Sequence, residues 1–157
     1  YRSNRNQFNV LNLVDDTRVK LKDVDPNVPG SDYINANYIR WKADYSGANE
    51  LGSDPSRKVY IATQGCLPST IADFWQMVWQ ENCRVIVMTT KETERGKTKC
   101  ARYWPDQGTK EYGKIKVKML MESSSPHYTL REFLVSMDGL NCERKVFQYH
   151  FQVRLFY

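Results

Sequence analysis

The sequence predicts an α/β (α+β) domain in which a twisted mixed sheet carries one amphipathic helix. Three observations predict it. Ile71, Phe74, Trp75, Val78 and Trp79 follow the i, i+3, i+4, i+7, i+8 spacing of a helix with one apolar face. The run Arg84-Val85-Ile86-Val87-Met88-Thr89-Thr90 holds four consecutive apolar residues, the pattern of a strand buried on both faces. The second half then changes to strict alternation, the signature of antiparallel strands with one wet face.

In chain order, Tyr33–Ile39 and Val59–Thr63 are rich in aromatic and β-branched residues and read as strands. Between them, residues 41–58 hold Gly47, Asn49, Gly52, Pro55 and several serines and aspartates, and read as one long surface loop. Pro68 precedes the helix. Ser69 or Thr70 is placed to cap it, and Asp73 follows Thr70 at capping-box spacing. Burying the five apolar helix side chains contributes about 10 kcal/mol gross, an upper bound against an extended chain, so the helix needs a sheet beneath it. Further on, Ile115, Val117, Met119 and Met121 alternate with Lys114, Lys116 and Lys118. Phe147, Tyr149, Phe151 and Val153 alternate with Gln148, His150 and Gln152. Tyr128-Thr129-Leu130 and Phe133-Leu134-Val135 lie between, set off by the turn-prone stretches Ser123–Pro126 and Asp138–Asn141.

Composition bounds the function classes. The chain has 157 residues, 41% of them hydrophobic and 26% charged, enough for one cored domain and unlike a disordered tail. No apolar run approaches the ~20 residues of a membrane span. No apolar segment follows Tyr1-Arg2-Ser3-Asn4-Arg5-Asn6, which predicts no secretory signal, and the start at Tyr1 rather than Met suggests a fragment. A net charge of +5 is spread along the chain without a nucleic-acid motif; it reads as a solvated surface, with a basic cleft for acidic phosphopeptides as the sharper alternative. Cys66, Cys83, Cys100 and Cys142 form no Cys-x2-Cys pair and lie far from His127 and His150. The spacing argues against zinc and the lack of a signal peptide against a disulfide framework, so buried reduced thiols in the cytoplasm are expected.

Several blocks, in order, carry a resemblance. They are Asp32-Tyr33-Ile34-Asn35-Ala36-Asn37, Ala62-Thr63-Gln64-Gly65-Cys66, Asp73–Trp79, and Lys99-Cys100-Ala101-Arg102-Tyr103-Trp104-Pro105. Together they resemble the N-terminal part of the protein tyrosine phosphatase domain, from about Asn6 to Gln152. Asp23–Pro29, Thr90–Lys97 and Tyr112-Gly113 point within it to the cytosolic tyrosine phosphatases with tandem Src-homology-2 domains, the corkscrew type among them. The resemblance implies an incomplete tyrosine-phosphatase fold lacking the catalytic-loop half. It implies a parent that hydrolyses phosphotyrosine on signalling proteins through a phosphocysteine, without metal or other cofactor. Its partners would be phosphotyrosine proteins downstream of receptor tyrosine kinases, and the Src-homology-2 domains of the parent protein. Residues 1–152 are assigned to that domain. Residues 153–157 are expected to be a divergent tail, with intron read-through at Gln152-Val153-Arg154 as its suggested origin.

By resemblance, Asn35, Asn37, Gln64 and Trp75 are framework. Glu94 would pair with the phosphate-binding arginine and Lys99 would approach the general-acid loop, both as accessory residues; the alternative is a solvent-exposed hairpin of charges. Phe8 takes the place of the tyrosine that stacks on the substrate ring when Asn6-Gln7-Phe8 is aligned on Asp15–Val19, and Val10 then falls where a polar residue holds the peptide backbone; Asn4-Arg5 is the other alignment. Trp104-Pro105-Asp106 spells the family's acid loop but follows an upstream marker, so Asp106 is expected on a surface turn. The family's nucleophile sits in a His-Cys-x5-Arg loop, where a depressed thiol pKa and an arginine fork are needed. The residues six places after the four cysteines are Ala72, Thr89, Asp106 and Gln148, so none qualifies. The sequence therefore predicts an inactive portion of a phosphatase domain, with a non-catalytic phosphopeptide- or protein-binding module as the alternative.

Overall fold

The structure is a computed structural model that describes residues 17–39 and 59–151. The predicted 41–58 loop, the N-terminal positions Phe8 and Val10, and the 153–157 tail lie outside the described residues. Among the described residues there are twelve elements. The strands β1 (Arg18–Lys20), β2 (Tyr33–Ile39) and β3 (Tyr60–Thr63) come first, and a 3-10 turn (Pro68–Thr70) leads into α1 (Ile71–Gln80). After it run β4 (Val85–Met88), β5 (Thr93–Glu94), β6 (Lys97–Thr98), β7 (Thr109–Tyr112), β8 (Ile115–Ser124), β9 (Tyr128–Met137) and β10 (Glu143–Phe151). They pair as a three-stranded sheet β1-β2-β3, a five-stranded sheet β4-β10-β9-β8-β7, and the β5-β6 hairpin. β10 runs parallel to β4 and antiparallel to β9, so the larger sheet is mixed, as the sequence pattern predicts.

The helix lies on one face of the five-stranded sheet. Trp75 is fully buried, with its ring edge-on to Phe133 of β9 at 5.7 Å and stacked near Tyr112 of β7 at 6.3 Å. Its indole N–H donates to the Tyr103 carbonyl at 2.6 Å, which satisfies the one polar atom that burial would otherwise strand. Gln80 ties the helix to the smaller sheet: its side-chain oxygen accepts from the Lys22 amide and its nitrogen donates to the Lys20 carbonyl, both at 2.8 Å. Asn82, in the left-handed region at φ 54°, ends the helix while the Cys83 amide reaches back to the Val78 carbonyl at 3.0 Å. The start differs from the expected cap. The Thr70 hydroxyl is committed one turn earlier, accepting from the Leu67 amide at 3.0 Å, and makes no capping bond into α1.

Three expectations about faces are corrected. First, β4 is an edge strand, and its Val85 and Val87 are 54% and 59% exposed, so it is not buried on both faces. Only the face carrying Met88 meets the helix-side core. Second, the polar set of β10 is the buried one. Register with β9 and β4 turns Val146, Gln148 and His150 inward, and leaves Phe147 and Tyr149 half-buried and Phe151 exposed on the open face. Third, Met121 does not continue the buried row of Ile115, Val117 and Met119. β8 slips register between Met119 and Met121, so Leu120 is an extra residue; Met121 moves to the open face and Glu122 comes opposite Arg131. A bulge of one residue reverses every side chain beyond it.

Gly65 marks a close approach between segments. A Cβ there would fall 2.3 Å from the Lys99 carbonyl oxygen and 3.1 Å from Cys100 Cβ. Both neighbours belong to the Lys99–Cys100 segment, which cannot retreat as a flexible side chain can. Gly65→Ala is expected to cost about 1–3 kcal/mol as overpacking, read as a lower urea midpoint with an unchanged slope.

Candidate functional site

The sequence-marked residues Glu94 and Lys99 share one hairpin. β5 and β6 pair Thr93 with Thr98 and Glu94 with Lys97 across Arg95 and Gly96. Both central residues have positive φ, 49° and 72°, the requirement of a two-residue turn that matches strand twist. Arg95 accepts the left-handed strain that asparagine usually takes there. The Glu92 carbonyl closes the base by accepting from the Lys99 amide at 2.8 Å and the Cys100 amide at 3.2 Å. The Glu94 carboxylate accepts from the Lys91 amide at 3.3 Å, folding back onto the segment that leads into the hairpin. Glu94 and Lys99 are both half-exposed, so the structure gathers them on one element at the surface. It does not test Phe8, which lies outside the described residues.

Beneath the hairpin sits a polar network that sequence reasoning missed. The Glu92 carboxylate takes a two-pronged bond from Arg102, at 3.1 Å to Nε and 2.9 Å to Nη2. Those bonds hold the Glu92 carboxyl below the usual carboxylate range. Arg102 also pairs with Asp106, which is exposed on a turn, while the adjoining Trp104 and Pro105 are buried. The Trp104 ring lies near two guanidinium groups, Arg102 at 5.3 Å and Arg131 at 4.6 Å, with the His150 ring at its edge, 5.7 Å away. Arg131 is 6% exposed. Its Nε donates to Glu122 at 2.6 Å and its Nη1 to the Gln148 side-chain oxygen at 2.9 Å. Gln148, wholly buried, donates in turn to the Tyr103 hydroxyl at 2.6 Å. Burial pushes that phenol far above its ordinary range, so it stays neutral as an acceptor.

The residues expected as framework bond to neighbouring side chains. The Asn35 amide donates to the Gln64 side chain at 3.0 Å and the Asn37 amide to the Thr17 hydroxyl at 2.9 Å, so both meet side chains as well as holding a strand. Cys66 and Cys100 are buried against each other, and the Cys66 amide donates to Cys100 Sγ at 3.3 Å. That contact with Cys66 lowers the Cys100 thiol pKa, while the hydrogen bond to Cys100 and burial raise that of Cys66. Cys83 is half-buried and Cys142 exposed, so the expectation of buried thiols holds for two of the four. Among the described residues, no group of three or more His, Cys, Asp or Glu side chains is placed to hold a metal, and no helix is long and apolar enough to cross a membrane.

Comparison with known proteins gives the chemistry a context. A family model for protein-tyrosine phosphatase matches residues 2–153. The tyrosine-protein phosphatase corkscrew of Drosophila virilis is 63% identical over 97 residues, covering 61% of this chain and 13% of the relative. Its namesake in Drosophila melanogaster is 60% identical over 101 residues, covering 61% of this chain and 12% of the relative. The receptor-type tyrosine-protein phosphatase eta of Gallus gallus is 42% identical over 147 residues, 94% of this chain and 10% of the relative. The chain thus spans between 10% and 13% of the length of these relatives.

Two measurements probe the network. Glu122→Gln is expected to cost about 1–3 kcal/mol in urea melts by leaving the Arg131 charge short of its carboxylate, and less than about 0.5 kcal/mol when made on an Arg131→Met background. The Glu92–Arg102 lock contributes fully above the ordinary carboxylate value of 4.5 and is lost as pH falls through the depressed one. An Arg102→Met chain is therefore expected to lose less stability than wild type over that acid window, followed by urea midpoints at stepped pH.

Proposed function

The chain belongs to the protein-tyrosine phosphatase family, and we propose that it supplies the framing part of a phosphotyrosine-hydrolysing domain without the groups that react. Hydrolysis through a phosphocysteine needs a thiolate to attack phosphorus, an arginine fork on the phosphoryl oxygens, and an acid to protonate the leaving phenol. The observation that carries the reading is the setting of the cysteines. None has an arginine six places on, and the two buried ones face each other. A thiol without an anion cradle is no phosphate nucleophile.

The residues that remain are accessory ones. On this reading the hairpin holds Glu94 for the phosphate-binding arginine and Lys99 for the general-acid loop, and Phe8 stacks on the substrate ring. The open face of the larger sheet, with Val85, Val87 and Phe151 exposed, supports a partner surface there of the kind the rest of such a domain provides. Similarity to the corkscrew phosphatases supports phosphotyrosine signalling proteins as the substrate class of the whole domain. Thiolate chemistry and free cysteines suit the reducing cytoplasm.

The 157-residue chain is expected to release no phosphate from a phosphotyrosine peptide above buffer. Turnover that vanadate abolishes would overturn this. In a chain extended through a His-Cys-x5-Arg loop, Glu94→Ala is expected to lower kcat by about 10- to 100-fold, by misplacing the phosphate-binding arginine. An unchanged kcat would remove Glu94 from the accessory role.

A further inference from the structure

Two polar links anchor the run from Thr90 to Glu92. One is the Glu92–Arg102 pair, which ties it to the segment after the hairpin and is half-exposed. The other is buried. His150, 3% exposed near the end of β10, has its Nε2 2.9 Å from the Thr90 carbonyl and its Nδ1 3.3 Å from Arg131 Nη1. The carbonyl only accepts and the guanidinium only donates. These partners fix one tautomer: Nε2–H donates to Thr90, and the Nδ1 lone pair accepts from Arg131. We propose that His150, as a neutral imidazole, is a positioning residue that latches the Glu92–Cys100 hairpin to the sheet, and that protonating it releases the latch.

The chemistry of release follows from the geometry. A proton on Nδ1 leaves Nε2–H able to donate to Thr90, but it points one N–H at another and sets two cations side by side, so release requires the charged ring to swing away from Arg131 and carry Nε2 off the Thr90 carbonyl. The groups facing the imidazole have opposing effects. Arg131 from β9 and Arg102 from the segment after the hairpin disfavour the charged ring, while Glu92 favours it. Glu92 is already engaged by Arg102, and Glu122 reaches His150 only through Arg131. From β4 the neighbour in register is Met88, which offers no charge. Burial first, and Arg131 after it, hold the imidazole below its ordinary value of 6.5, against the pull of the Thr90 carbonyl. The contribution to stability is therefore complete above the unfolded value and is lost as pH falls from there towards the lower folded one.

What the latch holds is the irregular run from Thr90 into the hairpin. Thr90 precedes Glu92 by two residues, and Glu92 closes the hairpin base through Lys99 and Cys100. The latch itself stands on hydrogen bonds alone; only its consequence for catalysis rests on the phosphatase reading.

The test uses the 157-residue chain labelled with nitrogen-15, titrated between about pH 8 and pH 5. Long-range spectra of the imidazole report the tautomer, with exposed His127 as the internal reference. Hydrogen exchange, corrected for its intrinsic pH dependence, reports the Lys99 and Cys100 amides against the Cys83 amide at the helix end. The expected result is an unprotonated Nδ1 at the alkaline end. As His150 titrates, protection of Lys99 and Cys100 should fall about tenfold further than that of Cys83. In His150→Gln, which cannot charge, the pH-dependent part of that fall should disappear. A proton on Nδ1 at the alkaline end overturns the proposal. So does equal loss at all three amides, or an undiminished fall in His150→Gln. Should the variant not fold, the tautomer and the wild-type amides decide alone.

Discussion

The buried guanidinium of Arg131 is the constraint on which the larger sheet is organised. An arginine side chain does not give up its proton, so burial leaves only one solution, which is to surround it with acceptors. Three features of the sequence serve that end. The bulge at Leu120 shifts β8 by one residue and delivers Glu122 opposite Arg131. Gln148 takes an inward position on β10 and accepts a second bond. Trp104 offers a ring face to the charge, and His150 a lone pair. Without Arg131, the inward turn of Gln148 and His150 would bury polar groups with fewer partners. With it, the polar set is the one that must face in.

That arrangement determines how firmly the hairpin is held. β5 and β6 are two residues each, too short to be stable alone. Their position comes from below: Glu92 is bonded through backbone and side chain, Arg102 packs by Trp104, and Trp104 packs by Arg131. The close approach of Gly65 to Lys99 and Cys100 fixes the other flank. A charged side chain on a hairpin is useful to a reaction centre only if its backbone is held to a fraction of an ångström. A chain of contacts from a rigid sheet supplies that hold at Glu94 and Lys99 better than exposed ion pairs, which contribute little alone.

Much of this fold was legible in the residues. The helix declares itself because five large side chains recur at 3.6-residue spacing, and four of the five are buried with Ile71 at the margin. Tyr33–Ile39 falls on β2 residue for residue. The turns at Ser123–Pro126 and Asp138–Asn141 fall at or between the ends of β8, β9 and β10. Faces were less legible, and for a physical reason. Alternation reveals that a strand has two sides, but not which side meets the core. On β10 the residues that look wet are inside, because Arg131 on the neighbouring strand pays for them. The bulge in β8 had no local mark such as a glycine, since it is specified by pairing with β9. Of the candidate site, Glu94 and Lys99 were reached only through motif likeness, and the network below them was invisible, because its members lie as far apart in sequence as Glu92 and His150.

The edge strand β4 ties these points to function. Val85-Ile86-Val87-Met88 has the composition of a strand covered on both faces. In the structure one face meets the helix side of the core, while Val85 and Val87 stand open beside Phe147 and Tyr149, their partners in register on β10. A monomer surface seldom concentrates β-branched and aromatic residues in this way, unless something is meant to lie on it. The misjudged burial of β4 is thus informative: its residues match a larger assembly better than they match the surface they now form. On the proposed reading of the chain as the framing part of a phosphatase domain, this apolar face of β4 and β10 is the one a covering partner would meet, opposite the face that holds Met88 and His150.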